Sequence, residues 1–190
     1  MKKHLKAQSG FTLIEMLVAL AIVALLALLA SNAFDGSRSK AQVMIGLSKQ
    51  LANANIQLKT DTGCYVNNPR ALFDPVAAQE TSNNYCNRPF GNTWTRPYLA
   101  QYTTDPNGNI VADKIGAGVI ISYGREAGGL GQRYYIRFEN VPKDVIKQGL
   151  LECNGTDATG GDFTNNTCRT GSDLSDTLPG QFDVLYDTTR

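Results

Sequence analysis

Hydrophobic and polar positions divide this chain into three stretches. Residues 11–30 are apolar at every position except Thr12 and Glu15. They are mostly Ala and Leu, with no Pro and no Gly, a composition that favours a helix. At a rise of ~1.5 Å per residue such a helix spans ~30 Å, the thickness of a bilayer's hydrocarbon core. A helix is also the form that satisfies its own backbone in lipid. The pattern therefore predicts a membrane-spanning or otherwise apolar-packed helix over 11–30. From 31 to 60 it turns amphipathic: Ala41, Met44, Ile45, Leu51, Ala52 and Leu58 recur at helical spacing, with Lys40, Lys49, Asn53 and Lys59 mainly between them. The helix is expected to run on to about Thr60 and to end before Asp61-Thr62-Gly63, where glycine suits a C-cap. The two halves together predict one helix of roughly 50 residues, ~75 Å long, whose second half lays its stripe on a globular head.

Residues 61–190 form that head. Gly63 to about Pro106 is rich in Asn, Pro, Thr and aromatic residues (Tyr65, Tyr85, Phe90, Trp94, Tyr98, Tyr102) and reads as a long loop packed back on the head. Gly118–Tyr123 and Arg133–Phe138 are β-branched and aromatic, so they predict a hairpin with a long glycine-containing connection. Val141 to Leu150 predicts a short helix with proline near its start, and Gln181–Tyr186 alternates as a last strand. A long helix followed by separate antiparallel strands is an α+β arrangement.

Composition narrows the chemistry. The formal charge of +1 includes Lys2, Lys3 and Lys6; without them 15 basic side chains face 17 acidic ones, and nothing marks a nucleic-acid surface. His4 is the only histidine. Residues 11–190 thus lack what Ser-His, Cys-His or His-metal chemistry needs, and no enzyme is expected. The glycines at 128, 129 and 131 lack the strand-to-helix context and the GK[ST] ending of a phosphate loop.

Cys64, Cys86, Cys153 and Cys168 all follow the apolar run, and an even count in an exported domain favours disulfides over zinc. Three pairings are possible. Nearest neighbours, Cys64–Cys86 and Cys153–Cys168, are preferred because each pair encloses a Gly- or Asn-rich loop. No cofactor is expected. Asp105, Asn107, Asn109 and Asp113 hint weakly at calcium, but the glycine and glutamate of an EF-hand loop are missing, and a Pro-Asn-Gly turn accounts for the same residues. Asn154-Gly155-Thr156 and Asn165-Asn166-Thr167 match the glycosylation sequon.

Two details single out the N-terminal stretch. Glu15 lies one turn into the apolar run, where an unpaired carboxylate costs on the order of 2.5–3.5 kcal/mol, so a partner is expected. The preceding residues hold Lys2, Lys3, His4 and Lys6 and no acid, which keeps the N-terminus cytoplasmic. Gly10-Phe11-Thr12-Leu13-Ile14-Glu15, behind a basic leader and ahead of an apolar helix, closely resembles the class III signal of type IV pilins and type II secretion pseudopilins. An ordinary secretory signal would be cut after the apolar run, near Ala30–Ala33, and a plain anchor would leave Glu15 unexplained.

The resemblance implies the pilin fold, with 1–10 removed as a leader by prepilin peptidase. The cut falls between Gly10 and Phe11, Phe11 becomes the N-methylated first residue, and Glu15 pairs with the amino group of Phe11 on a neighbouring subunit. It implies an inner-membrane precursor, in contact with lipid and with an assembly platform, that polymerises into a helical filament of identical subunits. A pilus subunit serving adhesion, motility, aggregation or DNA uptake is the first expectation. A pseudopilin or a minor, filament-priming pilin comes next, and a membrane-anchored binding protein last. The family's helix-breaking proline is absent, since the first proline is Pro69; Ser31, Asn32, Asp35 and Gly36 stand in that region.

Overall fold

The computed structural model describes residues 13–33, 36–129, 131–157 and 161–189, for 13 and 26–33 in backbone only. Helix α1, Leu13–Ala33, comes from the uninterrupted Leu/Ala/Val/Ile run, and helix α2, Gly36–Thr62, carries the amphipathic pattern. Residues 34 and 35 lie outside the described residues, and with them the expected continuity of the two helices. Contacts divide the chain into two units, Met1–Gly36 and Ser37–Arg190. The membrane-spanning half expected over 11–30 needs qualification. Side chains are described only for 14–25 of α1, and among the described residues no helix is long and apolar enough to cross a membrane.

In the second unit α2 buries Ala41, Met44, Ser48, Leu51, Ala54, Asn55, Leu58 and Thr62, a stripe at helical spacing. It ends as a left-handed glycine allows: Gly63 has φ +79°, and its N–H donates to the Lys59 carbonyl at 2.7 Å. Against the stripe lies a five-stranded antiparallel sheet of order β1-β2-β3-β5-β4. Its strands are β1 Ile110–Val111, β2 Ile120–Gly128, β3 Gly131–Val141, β4 Cys168–Arg169 and β5 Gly180–Thr189. Ile121, Ile136, Phe138 and Phe182 are fully buried from the sheet, and Tyr123 reaches the helix, its hydroxyl donating to the Leu51 carbonyl at 2.8 Å.

The long hairpin connection is corrected. Gly128 pairs with Gly131, so only residues 129 and 130 connect β2 to β3, with Gly129 at φ +57°. The glycines extend the strand because neighbouring side chains lie across them. A Cβ on Gly124 would come 2.1 Å from the Tyr135 ring, and one on Gly128 2.5 Å from Arg133. Helix α3, Lys143–Asn154, starts behind Pro142, runs four residues past the expected end and stops at Gly155, φ +74°. It buries Val145, Ile146, Gly149 and Leu150. At Gly149 a Cβ would meet Met44 of α2 at 2.7 Å, so the two helices approach closely there.

The segment between α2 and β1 is anchored by side-chain hydrogen bonds to its backbone. Buried Asn55 of α2 clamps Val66: its amide donates to the Val66 carbonyl at 3.2 Å and accepts from the Val66 N–H at 3.0 Å. Trp94 donates its indole N–H to the Ala71 carbonyl at 3.0 Å. Cys64 is bonded to Cys86, and Cys153 to Cys168.

Candidate functional site

Glu15 stands in the first turn of α1, at the positive end of that helix's dipole. Around it the described side chains are apolar on every side: Ile14, Met16, Leu17, Val18, Leu20, Ile22, Val23 and Leu25 are all 52–69 % exposed within the chain. At 3.6 residues per turn these positions cover the whole circumference, and a helix hydrophobic all round belongs in an apolar medium, whether lipid or a bundle of like helices. A carboxylate there can serve as a charge-pairing point, since water is excluded once the surrounding side chains are covered. Gly10 and Phe11, the expected cleavage and methylation residues, lie outside the described residues.

The other residues singled out from sequence lie in the second unit. Asp105 closes the expected turn instead of pointing outward. Its carboxylate accepts from the N–H groups of Asn107 (2.9 Å) and Asn109 (2.8 Å) and from the Asn109 amide at 3.0 Å, with Gly108 at φ +85°. Asp113 is exposed. Among the described residues no group of three His, Cys, Asp or Glu side chains is arranged to hold a metal ion. Of the two sequons, Asn154 is already engaged: its amide donates to the Cys168 carbonyl at 2.7 Å and accepts from the Cys168 N–H at 3.1 Å, bracketing the disulfide. Asn165 is exposed.

Residue patterns gave no warning of the polar network on the sheet's other face. Asp183 of β5 is fully buried. Arg137 of β3 grips it at 3.0 and 3.1 Å, and Arg169 of β4 donates to it at 3.1 Å while holding Glu126 of β2 at 2.8 Å. The guanidinium of Arg169 also lies 4.0 Å from the centroid of Phe163, which tucks the disulfide-bounded loop onto the sheet. At the end of α2, Lys59 pairs with Asp187 at 3.2 Å, and the Tyr65 hydroxyl donates to the same carboxylate. Burial opposes charge on Asp187, but the hydrogen bonds from Tyr65 and Lys59 prevail and hold its pKa below the usual carboxylate value. Burial, reinforced by Asp187, pushes the Tyr65 hydroxyl up.

Residues 5–31 match the family model of the prokaryotic N-terminal methylation motif. They are a class III signal of type IV pilins and pseudopilins. The signal spans Gly10, Phe11 and Glu15 and ends inside α1. It indicates a type IV pilin-like or pseudopilin protein, and it implies prepilin-peptidase processing and assembly into a pilus-like filament. No curated protein and no solved structure matches the chain.

Proposed function

We propose that this chain is a structural subunit of a type IV pilus, a pilin whose work is assembly and not catalysis. The observation that carries the reading is α1 itself: under the methylation motif lies a helix apolar on every described side, with one carboxylate in its first turn. Prepilin peptidase removes residues 1–10, and Phe11 becomes the methylated N-terminus. Before assembly the precursor crosses the inner membrane once through 11–30, its N-terminus cytoplasmic and its head periplasmic. An assembly platform in that membrane then moves it into a helical filament, where the apolar helices exchange lipid for one another. Glu15 takes the amino group of Phe11 on a neighbouring copy, and each charge offsets the cost of burying the other. The head faces outward on the extracellular filament, where adhesion, motility, aggregation or DNA uptake takes place. Two disulfides suit a domain exposed outside the cytoplasm.

The test is mass spectrometry of the N-terminus of filaments sheared from cells making the chain. Abundant filaments beginning at methylated Phe11 are expected. A processed chain confined to membrane and periplasm would turn the reading to pseudopilin or minor pilin, and an N-terminus at Met1 or near Ala30 would overturn it. Glu15→Val should still insert and be processed while filaments are lost; wild-type filament yield would remove Glu15 from the mechanism.

A further inference from the structure

The head carries an apolar groove and, on a separate loop, an apolar knob. The groove, of about 580 Å³, runs between α2 and the β1 edge of the sheet. Val43, Gly46 and Leu47 of α2 form one wall, Ile110 and Ile115 line the other, and Tyr102 stands at the rim. Gly46 weakens an otherwise regular helix, and a Cβ there would meet nothing within 4 Å. The missing side chain leaves a notch open to the outside beside Val43, which is 42 % exposed. Such a notch lets a foreign side chain approach the helix backbone.

The knob is Leu178, 68 % exposed, on the connection from β4 to β5. Its loop is held in place by polar groups. Lys143, with a side chain only 9 % exposed, donates to the Asp173 carbonyl and pairs with Asp176 at 3.1 Å. Asp176 in turn accepts from the Leu178 N–H at 3.2 Å, and Ser172 accepts from the Gln181 N–H at 2.8 Å. A large apolar side chain held out by a fixed loop loses little entropy on docking.

We propose that the α2–β1 groove of one copy receives Leu178 of the next copy, an inference that rests on the filament reading above. Charge agrees: Lys40, one turn before Val43, and Lys114 flank the groove against Asp113 alone, whereas Asp173 and Asp176 face only Lys143 in the loop. Val76 is as exposed as Leu178, but its neighbour Pro75 shares a hollow with Gln101 and Tyr102 of the groove's own rim, so it lies on the same flank. A contact joining two different patches of the head is heterologous. When its rotation does not close a ring, it leaves a free groove and a free knob at the ends of each oligomer and propagates as a filament does.

The experiment introduces Gly46→Cys and Leu178→Cys in the full chain, where all four native cysteines are already in disulfides. Sheared filaments are oxidised mildly and run without reductant. A ladder from the double variant, dimers from filaments mixing the two single variants, and neither from a single variant alone are expected. Filaments without a ladder overturn the groove contact and leave the pilin reading standing, and so do dimers from Gly46→Cys alone, which would mean groove facing groove. Wild-type cells with no filaments overturn both. Should the double variant fail to accumulate, Leu178→Asp decides. It should lower filament yield about tenfold or more at an unchanged level of processed chain, with Leu178→Met close to wild type; equal yields from Asp and Met overturn the contact.

Discussion

Helices α1 and α2 differ in composition and are placed under opposite demands: α1 is Leu, Ala, Val and Ile almost throughout, whereas α2 mixes Lys, Ser, Gln and Asn with its apolar residues. Along α1 every large apolar side chain described is more than half exposed, on all sides. Along α2 a stripe of apolar residues faces the sheet, with Ala41, Met44, Leu51 and Leu58 wholly buried, while Val43 and Ile56 stay outside it. An apolar helix with no polar face has no preferred side to show a head, so its stabilisation comes from lipid or from like helices. A helix with one stripe is held by the protein it belongs to. The contrast separates two properties that single-domain proteins usually merge: α2 belongs to the packing of the head, and on the function proposed above α1 carries placement and assembly.

The contrast can be broken by substitution, beginning with the head's most demanding position. Asp183→Ala leaves Arg137 and Arg169 facing each other beside a buried site and should cost about 3–5 kcal/mol in a denaturant melt of the head. Next comes a matched pair. Leu51→Ala in α2 should cost about 2–5 kcal/mol by leaving a cavity, whereas Leu17→Ala in α1 should leave the melting of the head unchanged. A head destabilised by Leu17→Ala would mean that the helices are not independent. Asn55→Ala removes the clamp on the Val66 backbone and should cost about 1–3 kcal/mol, read in the same melt, because a buried N–H and C=O lose their partner.

The smallest effect is one of pH. Asp187 has a depressed pKa, so its contribution is complete above the unfolded-state value of about 3.9 and is lost as pH falls below it toward the folded-state value. The Tm of the head should therefore drop on acidification from about pH 7 to about pH 3, and Asp187→Asn should make that drop shallower. An identical acid slope in the variant would remove the Lys59–Tyr65–Asp187 cluster from the account.

Legibility tracked the range of the interactions involved. The methylation motif at residues 5–31 could be recognised because it is a short linear string, and the end of α2 to within two residues because helix capping is local. The stripe of α2 was visible as periodicity, although Ser48 and Asn55 share its buried face and no hydropathy pattern would place them there. Asp183 looked like one polar position in an alternating strand; its partners Arg137 and Arg169 stand 46 and 14 residues away and meet it only through the β3-β5-β4 pairing. Glycines signal turns and so predict a long hairpin connection, whereas Gly124 and Gly128 make room for Tyr135 and Arg133 on the neighbouring strand.

Residue order alone thus decides the processing signal, the helical character of both N-terminal stretches and the α+β layout, since each depends on contacts a few residues apart or on transfer from water to an apolar medium. The order of the strands, the burial of Asp183 between two arginines, the clamp of Asn55 on Val66 and the groove beside Gly46 were decided by tertiary structure. Each of these requires segments distant in sequence to arrive at one place, and no local pattern records which distant segment that will be.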